Sequence, residues 1–188
     1  PLIRKDGKEF RITFSETDPS GKRRDWPQTM MTKIVTDKGV AKAIMTPGDT
    51  NTFITLNGAP RFVIPDTTGM GYGCFITDTS SLRYIKANPY FSPDPLVRGT
   101  IWVNLNEQML NGRLDPEMLY SLMLASLREE KELQLQTYLS GRISFIFLNR
   151  FDNEKRHMYG RQLEDFAWAR VSDITAGSQR RTWFALFR

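Results

Sequence analysis

The amino-acid sequence predicts an α+β fold in which a mainly antiparallel sheet of about eight short strands packs against one main helix near residues 115–139. Two observations lead to this prediction. Short segments of alternating apolar and polar residues follow one another through turn sequences, as strands do in hairpins. These segments do not alternate regularly with helical ones, which argues against a parallel sheet. A partly closed barrel or a jelly roll capped by the helix is the alternative architecture.

The composition is that of a folded globular protein. The 188 residues are 40% apolar and 12% aromatic, and a chain of this length buries one sizeable core, so we expect a single domain over residues 1–188. No segment approaches the roughly 20 apolar residues of a membrane-spanning helix. Cys74 is the only cysteine, which excludes a disulfide within the chain and favours the cytoplasm or another reducing intracellular compartment.

The N-terminal part of the sequence predicts one single strand and two hairpins. Apolar and polar residues alternate over residues 10–14, a pattern typical of a half-buried strand. A hairpin is predicted over residues 29–45, and another joins residues 52–56 to 61–64 through an Asn-Gly turn. Further strands are predicted at residues 74–77, 99–105, 163–171 and 182–187, and residues 82–86 fit either a strand or a helix.

The main helix has a clear start. Asp115 can cap free backbone N–H groups, Pro116 suits the first helical position, and Glu117 complements the positive end of the helix dipole. Residues 142–150 follow this helix without a linker and contain a run of branched and aromatic apolar residues. We expect this run to form the central strand of the sheet, with the helix across one face.

Charge is distributed unevenly along the chain. Residues 1–45 carry 10 basic and 6 acidic side chains, residues 46–141 carry 7 and 10, and residues 142–188 carry 9 and 5. We expect the two ends to be neighbours in the fold and to form one positive face that attracts phosphate or anionic lipid. The alternative is a pair of ordinary solvated surfaces.

Catalytic and cofactor motifs are missing from the sequence. A cysteine–histidine pair would have to combine Cys74 with His157, and the apolar neighbours of Cys74 predict a buried, unreactive thiol. A zinc site lacks enough nitrogen and sulfur donors. The glycine-rich segment 69–73 has neither the spacing of a dinucleotide fingerprint nor the lysine of a phosphate loop. We therefore expect no cofactor and no enzymatic activity.

Three aspartates could bind a metal ion through their carboxylates. Asp66, Asp78 and Asp94 are expected in loops beyond predicted strands, where a nuclease could collect ligands for Mg²⁺. The same sequences also fit turns in which the aspartate side chain accepts a hydrogen bond from the backbone, and we prefer that interpretation.

Cationic and aromatic residues are interleaved near the C-terminus, as in proteins that bind single-stranded nucleic acid, where cations contact phosphates and rings stack on bases. Tyr159 is predicted to stack on a base. Of Trp183 and Phe184, one must point inward. The predicted phosphate contacts are Lys155, Arg156, Arg161, Arg180 and Arg181, with a second patch at Lys22, Arg23 and Arg24.

The function predicted from these features is non-enzymatic binding of nucleic acid, preferably single-stranded, by basic terminal segments. The alternative is a self-assembling structural protein, matrix-like or shell-like, that forms homo-oligomers and contacts anionic lipid or packaged nucleic acid. A carboxylate–metal nuclease is a distant third.

Overall fold

A computed structural model describes residues 2–6, 9–14, 16–18, 20–24, 26, 28–46, 53–54, 56, 58–173 and 177–187. The chain divides into two compact units, residues 1–105 and residues 106–188. The prediction of a single domain stays a prediction. None of the helices in the described ranges has the length and apolarity that crossing a bilayer requires.

The described strands all lie in the first unit and form two open, three-stranded antiparallel sheets. The order of strands in the first sheet is β1-β2-β5, and in the second sheet it is β4-β3-β6. The strands are β1 (Leu2–Asp6), β2 (Glu9–Thr13), β3 (Met30–Thr36), β4 (Gly39–Met45), β5 (Phe53–Ile54) and β6 (Pro60–Ile64).

The rest of the regular structure is helical. Helix α2 crosses the boundary between the two units, and the second unit contains the end of α2 and four further helices. The helices are α1 (Thr79–Ala87), α2 (Pro95–Leu110), α3 (Pro116–Glu129), α4 (Leu133–Asn149), α5 (Asn153–Asp173) and α6 (Gly177–Phe187).

Local patterns predicted β2 and the β3–β4 hairpin, whereas strand β1 was not predicted. Strand β2 covers most of the predicted strand at residues 10–14, and the β3–β4 hairpin matches the one predicted over residues 29–45. Gly39 closes this hairpin with a φ of 151°, a conformation that side chains with a Cβ rarely adopt. The alternation of buried and half-exposed residues along β3 is the pattern expected of a strand with one covered face.

The predicted hairpin between residues 52–56 and 61–64 is wrong. Strand β5 pairs with β2, and β6 pairs with β3. Just before β6, the backbone N–H of Ala59 donates to the side chain of Asp37 at the β3–β4 turn, with an N···Oδ1 distance of 3.0 Å. Residues 52, 55 and 57 of this prediction lie outside the described residues.

One buried cluster joins the two sheets of the first unit. Its members come from β2, the β3–β4 hairpin, β6 and the segment before β6, and their side chains are at most 4% exposed. They are Ile12, Ile34, Met45, Leu56 and Val63. On β6, Phe62 stacks on Tyr84 of α1 at a centroid distance of 5.1 Å, which covers that strand with a helix.

The predicted sheet of about eight strands, its central strand at 142–150 and the barrel or jelly-roll alternative are all wrong. Four of the predicted strands are helical: residues 99–105 lie in α2, 142–150 largely in α4, 163–171 in α5 and 182–187 in α6. Segment 74–77 has no regular structure, whereas segment 82–86 belongs to α1. In α4 the fully buried side chains are Leu139, Ile143 and Ile146, whose spacing of three and four follows one side of a helix.

The single helix predicted at 115–139 is two helices, α3 and α4. Its start is as predicted, because Asp115 Oδ2 accepts a hydrogen bond from the backbone N–H of Met118 at 2.8 Å. The charged segment after it is a turn, in which buried Glu130 accepts hydrogen bonds from the backbone N–H groups of Lys131 (2.9 Å) and Glu132 (3.0 Å). The local pattern could not reveal this break, since the same charges also fit an exposed helical turn.

Replacement of Ile34 by alanine tests the core of the first unit. Ile34 is fully buried, whereas Ile44 on the neighbouring strand is 69% exposed. We expect Ile34→Ala to lower the free energy of unfolding by about 2–5 kcal/mol, because it leaves a cavity in a packed core. Ile44→Ala is the matched control and should change it by less than about 0.5 kcal/mol. Chemical denaturation measures both; equal losses from the two variants would refute this core.

Candidate nucleic-acid interface

Glu117 joins helix α5 to helix α3 in the second unit. Its two carboxylate oxygens bind different partners: Lys155 Nζ lies 2.6 Å from Oε2, and the hydroxyl of Tyr159 donates to Oε1 at 2.6 Å. These bonds, first that of Lys155, lower the pKa of the Glu117 carboxyl. The same contacts raise the pKa of Lys155 and of Tyr159. The carboxylate is therefore held ionised between a cation and a hydroxyl.

The ring of Tyr159 belongs to an aromatic cluster. It lies 5.5 Å from the ring of Tyr120 and 5.5 Å from that of Phe151, measured between centroids. Burial raises the pKa of Tyr120 to about 12, and the hydroxyl of Tyr120 has no hydrogen-bond partner among the described residues. Lys155 and Tyr159, which the sequence assigns to nucleic acid, thus both hold α5 in place; their role in binding stays a prediction.

The remaining predicted cations of this unit are exposed. Arg156 Nε donates to the carbonyl of Phe151 at 3.1 Å, and Arg181 Nε donates to the carbonyl of Gly177 at 3.4 Å. The side chains of Arg161 and Arg180 form no hydrogen bond or ion pair with any described residue. Next to these arginines Trp183 is 1% exposed and Phe184 is 42% exposed, so one ring of that pair does point inward.

A second set of cations and rings lies on α4, and the sequence prediction missed it. The spacing of four and three residues places Tyr138, Arg142 and Phe145 along one side of helix α4, and Arg150 directly follows the last residue of the helix. These four residues are called the α4 face below. The Arg142 guanidinium lies 5.7 Å from the ring centroid of Tyr138 and 5.8 Å from that of Phe145. The Arg150 guanidinium lies 5.6 Å from the Phe145 centroid, so this ring has two cationic neighbours.

A cleft of about 510 Å³ adjoins the α4 face through Arg150. It contains two arginines, Arg113 and Arg150, and one carboxylate, Asp115, which already caps helix α3. Burial raises the pKa of Tyr138 at the other end of the α4 face, so its hydroxyl stays protonated at neutral pH. The remaining lining residues are Met109, Leu110, Gly112, Leu114 and Pro116.

The predicted patch at Lys22, Arg23 and Arg24 lies in a turn organised by Asp18. The carboxylate accepts hydrogen bonds from the hydroxyl of Ser20 at 2.5 Å and from Arg24 Nε at 3.1 Å. The Ser20 hydroxyl is the main contact that lowers the pKa of Asp18, which keeps the charge opposite Arg24 in place. Arg24 is therefore paired with a carboxylate, and all three cations of the patch are exposed.

The structure does not place the two patches relative to each other. Lys22, Arg23 and Arg24 belong to the first unit, and the C-terminal arginines belong to the second. The predicted single cationic face therefore stays a prediction.

The three aspartates considered for a metal site accept hydrogen bonds from the backbone. These bonds come from N–H groups two to five residues further along the chain: Asp66 accepts from Thr68 and Gly71, Asp78 from Ser80 and Ser81, and Asp94 from Leu96. Within the part of the chain that the structure describes, no group of three or more potential metal ligands is present. Cys74 is exposed, which contradicts the predicted buried thiol, and His157 is exposed on α5.

The α4 face and the adjoining cleft together form the candidate interface. They place Arg142 and Arg150 beside two half-buried rings and Arg113 beside Arg150 in the cleft. Tyr138, Arg142 and Phe145 lie on a single helix, which gives them fixed spacing. No protein-family model matches the chain, and no curated protein matches it in sequence.

Substitution of Glu117 by glutamine tests the contact between α3 and α5. The lowered pKa of Glu117 means that its ionisation stabilises the fold above the ordinary pKa of a glutamate, about 4.3, and that this contribution is lost as the pH falls further. We expect Glu117→Gln to lower the thermal unfolding midpoint at neutral pH, and the difference from the unmodified protein to shrink towards pH 3.

Glu129→Gln, an exposed position on the same helix, is the control and should leave the midpoint nearly unchanged. A constant difference between Glu117→Gln and the unmodified protein from neutral to acid pH would contradict the assigned ionisation.

Proposed function

We propose that the chain binds single-stranded nucleic acid through the α4 face and the adjoining cleft. The observation that carries this proposal is the arrangement of Arg142 and Arg150 around the ring of Phe145, at guanidinium-to-centroid distances of 5.8 and 5.6 Å. Proteins hold single strands with this combination of side chains, in which cations contact phosphates while rings or guanidinium planes stack on bases.

Stacking favours a single strand over a duplex at this surface. The rings of Tyr138 and Phe145 are half-buried on the side of a helix, so a base must leave its own stack to reach them. A base stacked on an aromatic side chain contributes about 1–3 kcal/mol to binding, largely irrespective of its identity. The α4 face therefore provides affinity without strong sequence preference.

The arginines supply the electrostatic part of the binding. Residues 106–188 carry 12 basic and 11 acidic side chains, so attraction for a polyanion must come from local arrangement rather than from the net charge of this unit. Arg142, Arg150 and Arg113 provide such an arrangement, since Asp115, the one carboxylate among the described residues that line the cleft, caps a helix. Arginine also remains charged over the whole physiological pH range.

Self-assembly through the β3–β4 hairpin is less favoured. The uncovered face of this hairpin presents Met31 and Ile44, which are 44% and 69% exposed. However, Lys33 lies directly opposite Lys42 in the middle of the same face. Pairing two copies along the edge strand β4 would bring more lysines together, and lysine on an edge strand generally prevents such pairing.

Removal of two arginines tests the proposed interface. We expect Arg142→Ala combined with Arg150→Ala to weaken binding of a labelled oligothymidylate by roughly tenfold or more at low salt, because two phosphate contacts are lost. The slope of log affinity against log salt should become shallower by about 1.4, since each single-strand phosphate contact contributes about 0.7. Fluorescence anisotropy at several salt concentrations measures both quantities.

The charge-matched control is Arg61→Ala combined with Arg83→Ala, two exposed arginines of the first unit. This control should retain nearly the affinity and the slope of the unmodified protein. An absence of binding by the unmodified protein at low salt would refute the proposed function, and an equal loss in both double variants would refute this location.

A further inference from the structure

Two loops of the first unit present large apolar side chains to solvent. Met70 is 85% exposed, Tyr72 is 84% exposed, and Trp26 is 48% exposed. Together they are called the loop cluster below. Met70 and Tyr72 are the two most exposed large apolar side chains among the described residues. Exposed apolar side chains that are grouped on one surface are a common feature of contact surfaces.

A hydrogen-bond network connects the two loops. The side-chain amide of Gln28 binds both backbone groups of Tyr72: Oε1 accepts from the N–H at 2.9 Å, and Nε2 donates to the carbonyl at 3.0 Å. Glu16 accepts from the backbone N–H of Trp26 at 2.8 Å and from Gln28 Nε2 at 2.9 Å. The backbone of Tyr72 is therefore bonded to the side chain of Gln28, and the backbone of Trp26 to the side chain of Glu16. Because Glu16 also binds Gln28, these two side chains connect the loops.

Asp66 holds the glycine-rich loop in place. Its side chain is 2% exposed and accepts hydrogen bonds from the N–H of Gly71 at 2.9 Å and from the hydroxyl of Thr68 at 2.8 Å. Burial alone raises the pKa of Asp66, but the hydrogen bonds from Gly71 and Thr68 outweigh burial and lower it. An ionised, buried carboxylate thus orders the backbone between Met70 and Tyr72 before any partner binds, which reduces the entropy lost on binding.

Cations stand beside the loop cluster in the sequence. Lys22 and Arg23 have exposed side chains, and they precede Trp26 by four and three residues. Exposed aromatic and aliphatic side chains next to cations are the combination that binds the surface of an anionic bilayer, where Trp and Tyr occupy the headgroup region. Neither part suffices alone, because weak insertion and weak electrostatic attraction must act together.

We propose that the loop cluster inserts into the headgroup region of an anionic lipid bilayer, with Lys22 and Arg23 facing the lipid phosphates and carboxylates. A bilayer fits better than a second nucleic-acid site because Met70, one of the two most exposed members, has no ring to stack on a base. A flexible thioether side chain, in contrast, adapts readily to a disordered apolar layer. This activity is separate from the α4 face, which lies in the other unit.

Vesicle binding tests the proposal with the full chain. Vesicles of phosphatidylcholine containing about 30% phosphatidylserine should co-sediment with the protein, and pure phosphatidylcholine vesicles should bind it much less. We expect Met70→Ser combined with Tyr72→Ser to lower the partition coefficient roughly tenfold or more, because it removes most of the inserting apolar surface. Met158→Ser, at a position 61% exposed on α5, is the matched control and should bind as the unmodified protein does.

Quenching by brominated acyl chains gives an independent measurement that needs no folding assumption about the double variant. Quenching of tryptophan fluorescence on vesicle binding should be largely lost in Trp26→Phe, since Trp26 is the exposed tryptophan of the loop cluster. Any of three results would overturn the proposal. The first is unchanged quenching in Trp26→Phe, and the second is equal vesicle binding by the Met70/Tyr72 double variant. The third is weaker binding of oligothymidylate by that double variant without any vesicle binding.

Discussion

The carboxylate of Glu117 decides which cationic and aromatic side chains of helix α5 are already bound within the protein. It accepts a hydrogen bond from Tyr159 and binds Lys155, so that α5 is held on α3 beside an aromatic cluster. Lys155 and Tyr159, which have the side-chain chemistry of a nucleic-acid site, are thereby bound to a residue of the same chain. On the α4 face the arginines contact the rings of Tyr138 and Phe145, and the charge of Glu107 acts on Tyr138 without an ion pair to either arginine among the described residues. This difference in partners, rather than a difference in residue type, leads us to place binding on α4.

Local signals predicted some, but not all, of the local parts of the fold. The β3–β4 hairpin and the start of α3 follow from alternation, turn residues and a capping aspartate that lie within a few residues of one another. The pairing of β6 with β3 depends on a partner outside the segment, and Asp37 of the neighbouring hairpin binds the backbone N–H of Ala59, just before β6. Short apolar runs such as 142–150 fit a buried strand as well as a helix, and the run 142–149 is helical in the folded chain.

The same misassignment hid the α4 face. In a strand, Arg142 and Phe145 would point to opposite sides because side chains alternate; in a helix, residues three apart are neighbours. The pattern of cations and rings was visible in the sequence, but its geometry required the correct secondary structure. Other contacts could not be inferred at all: Glu117 and Tyr159 are 42 residues apart, and Gln28 and Tyr72 are 44 apart. Only the folded chain brings these pairs together, and they determine which exposed residues remain available to a ligand.

Hydrogen–deuterium exchange of the full chain, with and without saturating oligothymidylate, tests the central claim most directly. We expect amide protection to increase in the second half of α4 and in the segment 109–116 that lines the cleft. We expect little change around Lys155 and Tyr159, because these side chains already bind Glu117. Protection confined to residues 153–161, with α4 unchanged, would contradict the account and return the binding site to the cations of α5.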